Sequence, residues 1–176
     1  MQIYEALKDD HDKLKALLVQ LIALDEDREE ECADLIDRIG DEFIPHNRAE
    51  ESVFYNSLRS ISVADDLALH GFEEHMEAEG LFRSLQFMDR SGADWKEAAQ
   101  KFKLAVEHHI QEEESKVFSV ARQLFTVQEA EMMAHAFARL KPEVQEGSFV
   151  QNTLDLIANL MPPRFAAPMR TFTFGG

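Results

Sequence analysis

The sequence predicts an all-α fold: an antiparallel up-down four-helix bundle with additional C-terminal helices. Long stretches carry apolar residues at helical period, and 7 Gly and 5 Pro in 176 residues are too few for a turn-rich β fold. The chain also repeats itself. His46-Asn47-Arg48-Ala49-Glu50-Glu51-Ser52 returns as His109-Ile110-Gln111-Glu112-Glu113-Glu114-Ser115, and Asp10-His11 returns as Glu74-His75. Each half is therefore a helix pair, with a His on its first helix and His-x-x-x-Glu on its second.

The first helix is expected from Ile3 to Leu24, with Leu7, His11, Leu14, Leu18 and Leu21 on its inner stripe and Asp9, Asp10 and Asp12 off it. Asp25-Glu26-Asp27 makes a turn and places negative charge where the next helix dipole favours it. The second helix carries Ile36, Ile39, Phe43, His46, Glu50 and Phe54 inward and ends near Ser60; Pro45 predicts a kink there, or two short helices. A third helix is expected over Val63 to Arg90, with Leu67, His75, Glu79, Phe82 and Leu85 or Gln86 on one stripe. Ser91-Gly92-Ala93-Asp94 reads as a stop followed by a start. The fourth runs from Trp95 to Leu124, with Phe102, Ala105, His109, Glu113, Val117, Val120 and Leu124 facing in. Thr126 and Glu129 form a capping-box pattern opening a further helix with Met132, Met133, Phe137 and Leu140, which Pro142 ends or kinks. Phe149 to Met161 forms a last short helix. The domain reading is then a bundle over 1–125, a helical extension packing on it over 126–161, and a tail over 162–176 that docks through its Phe residues or stays disordered.

Asp and Glu number 34 against 18 Lys and Arg, a formal charge of −16. Such a surface repels phosphate backbones and anionic lipid and attracts cations, so neither nucleic acid nor a membrane is expected as a partner. Cys32 alone forms no internal disulfide, no apolar run has membrane-spanning length, and Met1-Gln2-Ile3-Tyr4-Glu5 lacks a signal-peptide pattern. A reducing, cytoplasmic setting is the expectation.

On a helix, His-x-x-x-Glu places an imidazole and a carboxylate on one face, and a buried face accepts both where a cation compensates them. Stacked antiparallel, the four helices converge His11, His46, His75 and His109 on one level, with Glu50, Glu79 and Glu113 beside them. Four imidazoles and three carboxylates exceed one closed zinc site and fit two metal ions sharing bridging carboxylates, with mixed ligation that suits iron or manganese. Glu50 and Glu113 hold equivalent places in the repeat and are the natural bridges. His108 also has a Glu four residues on, Glu112, but its stripe is polar; His70 reads as exposed and His135 as packing. No His has a Glu three residues before it, which argues against a ferritin-like di-iron pattern.

The pattern resembles the hemerythrin-like proteins, the HHE cation-binding domain, over about Met1 to Leu124. The resemblance rests on His11, on His46 with Glu50, on His75, and on His109 with Glu113. It implies a non-haem di-iron centre with an oxo or hydroxo bridge, His11 and His46 on one iron and His75, Glu79 and His109 on the other. Oxygen-carrying members place a second His where Glu79 stands. An anionic ligand there stabilises the ferric state and weighs against reversible carriage. Lys15 matches Glu79 in the other half and cannot ligate while charged, leaving an open position. The implied function is binding of dioxygen or nitric oxide for sensing, storage or delivery. One alternative is a redox enzyme that turns over peroxide or nitric oxide, or an iron donor in repair of damaged iron-sulfur clusters. The other is a cation-buffering or structural bundle.

Overall fold

The structure, a computed structural model, describes residues 1–89, 94–145, 160–162 and 164–165. Helix α1 spans Ile3–Ala23 and α2 spans Glu29–Glu50. The second helix continues through a π-helical turn, Glu51–Tyr55, into α3, Asn56–Arg59. A 3-10 turn, Ser62–Ala64, leads into α4, Asp65–Phe87. Helix α5, Asp94–Glu112, passes through a second π turn, Glu113–Val117, into α6, Phe118–Leu124, and α7 spans Val127–Gln145. No strand occurs among the described residues. Helix α1 packs on α2 and α5, and α4 packs on α5 and α2, so the four long rods close a bundle of the expected all-α class. Helix α7 lies against α1 and α2.

The apolar stripes form two core layers with a polar layer between them. Leu14, Leu18, Ile36, Ile39, Phe43, Phe82, Trp95 and Phe102 fill one layer. Ile3, Leu7, Phe54, Leu58, Phe118, Phe125, Met133 and Phe137 fill the other. Each fully buried Leu or Phe in these layers contributes roughly 1.5–3 kcal/mol. On α1 the order Leu7, His11, Leu14 passes from one layer through the polar level to the next.

The helix ends differ from expectation at several points. Helix α2 runs through Pro45 without ending, and the irregular turn comes later, at Glu51. The proline is not its cause, because α5 makes the same turn after Glu112 with no proline. A π turn holds an extra residue, so each inward stripe advances by one beyond it. Phe118, Ala121 and Phe125 are buried, whereas Val120 and Leu124 are only partly so. Helix α7 likewise continues past Pro142 to Gln145. Its capping box forms as expected: Thr126 N–H donates to Glu129 Oε2 at 2.8 Å, and Glu129 N–H to Thr126 Oγ1 at 3.2 Å. The Ser91-Gly92-Ala93 stop, most of the last short helix and most of the tail lie outside the described residues. Within the tail, Phe165 is buried against Phe125, ring centres 5.4 Å apart.

Candidate metal centre

The polar layer gathers His11 from α1, His46 and Glu50 from α2, His75 from α4, His109 from α5 and Glu113 from the second π turn, each at most 6 % exposed. Ligand atoms of His11, His46 and Glu50 lie within 4.8 Å of one another, as do those of Glu50, His75 and His109, so Glu50 belongs to both groups. Glu50 Oε2 is 3.3 Å from His46 Nε2 and 3.4 Å from His75 Nε2. Glu113 Oε2 is 3.2 Å from His11 Nε2, and the Nε2 atoms of His75 and His109 are 3.0 Å apart. All four Nε2 atoms thus face inward.

Their Nδ1 atoms all face carboxylates. His11 Nδ1 meets Glu114 at 3.1 Å, His46 Nδ1 faces Asp10 at 3.5 Å, His75 Nδ1 meets Glu51 at 3.0 Å, and His109 Nδ1 meets Glu74 at 2.9 Å. Each helix supplies the acid that holds the His of the next: Asp10 on α1 for α2, Glu51 for α4, Glu74 on α4 for α5, and Glu114 for α1. An acid on Nδ1 fixes the tautomer and leaves Nε2 as a free donor for a metal, which is how ligating histidines are usually supported. The doubled Glu of each motif has two jobs, the first carboxylate inside the layer and the second behind a neighbouring imidazole. The Ser after them also has a role. Ser52 Oγ donates to Arg48 O at 2.7 Å and Ser115 Oγ to Gln111 O at 2.6 Å, satisfying carbonyls at the junction where the helix widens.

Glu50 and Glu113 are fully buried, and no hydrogen bond of good geometry reaches either carboxylate. Burial and the facing Glu50 push Glu113 up to about 8, while Glu113 itself, with His46 and His75, overcomes burial and holds Glu50 well below the usual carboxylate range. Without a cation, then, the pair shares a proton at neutral pH. Burial alone would lower His11 and His75, but Glu113 with Glu114, and Glu50 with Glu51, raise them to about 9. Burial and the neighbouring His75 push His109 down to about 4. Four imidazole nitrogens and two unpartnered carboxylates around one buried level are a donor set that two divalent cations fit: cations neutralise the carboxylates and occupy the inward nitrogens.

Glu79 is buried and, like Glu113, lies in neither of those two groups. Its carboxylate takes Arg48 Nη2 at 2.6 Å and Asn47 Nδ2 at 3.4 Å. Its counterpart Lys15 reaches Glu114 Oε1 at 3.2 Å. His108 and His70 are exposed, as expected, and His135 is exposed too. Asp10, expected off the inner stripe, is 8 % exposed behind His46, where Lys141 Nζ of α7 holds it at 2.7 Å.

Sequence reasoning also passed over Tyr55. It stands nine residues after His46, as Phe118 stands nine after His109. The π turn carries Tyr55 inward, its ring centre 5.5 Å from that of His75 and 6.4 Å from that of His109, while Phe118 stacks on His11 at 6.5 Å. The Tyr55 hydroxyl is buried and makes no hydrogen bond of good geometry, and burial with the Glu113 and Glu50 carboxylates beside it raises it well above its ordinary value. One half of the layer therefore offers a phenol where the other offers a benzene ring. On the opposite side of the four imidazoles lies a cavity of about 10 Å³, walled by Phe43, Ala78, Val106 and Ile110. It holds about one water-sized molecule.

A curated protein of Nostoc sp. (strain PCC 7120 / SAG 25.82 / UTEX 2576), described as a DNA nickase, is 23 % identical over 146 residues, covering 83 % of this chain and 41 % of that protein. The chain thus spans well under half the length of that relative. No solved structure matches the chain significantly. The family described as Hemerythrin HHE cation binding domain matches residues 2–121, the bundle and all six side chains of the polar layer. By that match over most of its length, the chain belongs to the hemerythrin HHE cation-binding family.

Proposed function

We propose that this chain holds a carboxylate-bridged pair of iron ions and binds a small oxidant or diatomic there, dioxygen or nitric oxide, for sensing, storage or delivery. His11 and His46 serve one ion, His75 and His109 the other, and Glu50 and Glu113 span the two. Iron in that setting supplies redox-active positions open to a diatomic. Glu79 would join this set on the second ion only by giving up the contacts that Arg48 and Asn47 make with its carboxylate. The observation that supports the reading is the cavity of about 10 Å³ lined by all four imidazoles, room for about one water-sized molecule beside the inward ligand set. Anaerobic reduction followed by addition of dioxygen or nitric oxide, read in the visible spectrum, tests it. A new band that reverses on removing the gas supports binding, and an unchanged spectrum with iron bound contradicts it.

One feature favours a second reading, turnover of peroxide or nitric oxide. The unpartnered Tyr55 phenol lies beside the paired carboxylates, where a proton donor would serve such chemistry. Tyr55→Phe would then slow peroxide consumption by roughly 10²-fold or more with iron content unchanged. The activity named for the Nostoc relative is not carried over: 41 % of that protein is shared, and a charge of −16 disfavours a nucleic-acid backbone.

A further inference from the structure

A second pair of His-x-x-x-Glu motifs meets on the outer face of α4 and α5: His70 with Glu74, and His108 with Glu112. Antiparallel packing brings His70 Nε2 to 3.2 Å from Glu112 Oε2 and 3.7 Å from Glu74 Oε1, with His108 Nε2 at 3.6 Å from the same Glu74 oxygen. Ligand atoms of His70, Glu74 and Glu112 fall within 4.8 Å of one another. The groove above them has a volume of about 530 Å³ and is open to solvent. His70 and His108 are 50 % and 67 % exposed, whereas Glu74 at the floor is 12 % exposed. Its Oε2 serves His109; its Oε1 is buried without a hydrogen bond.

The internal repeat says what belongs there. Asp10 is the counterpart of Glu74, and in that half Ala6, Pro45 and Ala49 replace His70, His108 and Glu112. A cation sits on Asp10: the Lys141 ammonium at 2.7 Å, with Lys13 at 2.9 Å. Among the described residues no lysine contact is found on Glu74; Lys101 at the rim pairs with Glu97 at 2.7 Å, and Lys116 stands 3.8 Å from Glu112. Where one half of the bundle uses an ammonium group, the other presents two imidazoles and two carboxylates.

We propose that His70, Glu74, His108 and Glu112 form a second, solvent-facing site for a first-row divalent cation. Two carboxylates balance its charge, and mixed imidazole and carboxylate donors suit Zn²⁺ and its neighbours. None of these four side chains belongs to the inner donor set. Because Glu74 serves both His109 and the groove, a cation bound outside touches the support of the inner centre directly.

Zn²⁺ binding by equilibrium dialysis tests this on the full chain and on a Glu50→Gln/Glu113→Gln background whose buried layer is disabled. Adding His70→Ala and His108→Ala is expected to remove one bound Zn²⁺ per chain in both backgrounds, or to weaken it more than about tenfold, with helical circular dichroism unchanged. Both substitutions are on exposed side chains, so the fold is retained. Titrations that superimpose with and without His70 and His108 would overturn the proposal, including the case in which zinc binds only to scattered surface acids.

Discussion

Gly71 sets how closely Tyr55 approaches the histidines. A Cβ at position 71 would lie 2.8 Å from the Tyr55 hydroxyl oxygen and nearer still to its ring carbons. The ring is fully buried and cannot swing aside without disturbing the His75 contact. Gly71→Ala should therefore destabilise the fold by about 1–3 kcal/mol through overpacking, read from urea unfolding. Tyr55→Phe keeps the shape and removes an unpartnered buried hydroxyl, so its unfolding midpoint should stay close to that of the parent chain. The opposite ranking would show that Tyr55 is held by its hydroxyl and not by the space at Gly71.

The two π turns hold the second Glu of each motif, Glu51 and Glu114, against a neighbouring imidazole. Glu113 and Glu114 are consecutive, yet they approach opposite nitrogens of one ring, His11 Nε2 and Nδ1. Deleting Ser115 would close this turn to regular α-helix while keeping Phe118 and Ala121 inward, because an α-helix places i+4 where the π turn places i+5. The expected result is native helical content with bound metal greatly reduced; full metal content in that variant would remove the π turn from the account. These turns also explain what the sequence could not disclose. Regular period predicted Phe102, His109 and Glu113 correctly, then failed by one residue at Val120 and Leu124, since nothing in the residue types marks an extra residue in a turn. The four histidines and two buried acids were legible from repeat spacing alone. Asp10, Glu51, Glu74 and Glu114 were visible as acids beside the motifs, but their partners lie on other helices, and pairing needs the antiparallel register. The spacing after His75 marks Glu79 as a ligand; what the spacing does not show is that Arg48, from a different helix, donates to its Oε2.

Across the whole molecule, two apolar layers enclose a level that is costly to bury without metal. Glu113, raised from 4.5 to about 8, and His11 and His75, raised from 6.5 to about 9, hold protons more tightly folded than unfolded. Their contribution to the stability of the metal-free chain is complete in acid and is lost as pH climbs through 8 to 9. His109, lowered from 6.5 to about 4, works in the other direction: its contribution is present above 6.5 and lost as pH falls through 4. The metal-free chain should thus be most stable in mild acid and lose melting temperature from about pH 6.5 to 9, and loading metal should flatten that fall. A metal-free melting temperature that rises over this range would contradict the protonation pattern. Metal quantification on the purified chain beside Glu50→Ala decides whether a metal pair is bridged by Glu50 and Glu113. A pair of iron ions per chain is expected in the parent, and in the variant loss of iron together with loss of the thermal stability that the iron confers. A parent chain that carries no metal after iron loading, or a Glu50→Ala variant that keeps its full iron content, would contradict the bridged pair.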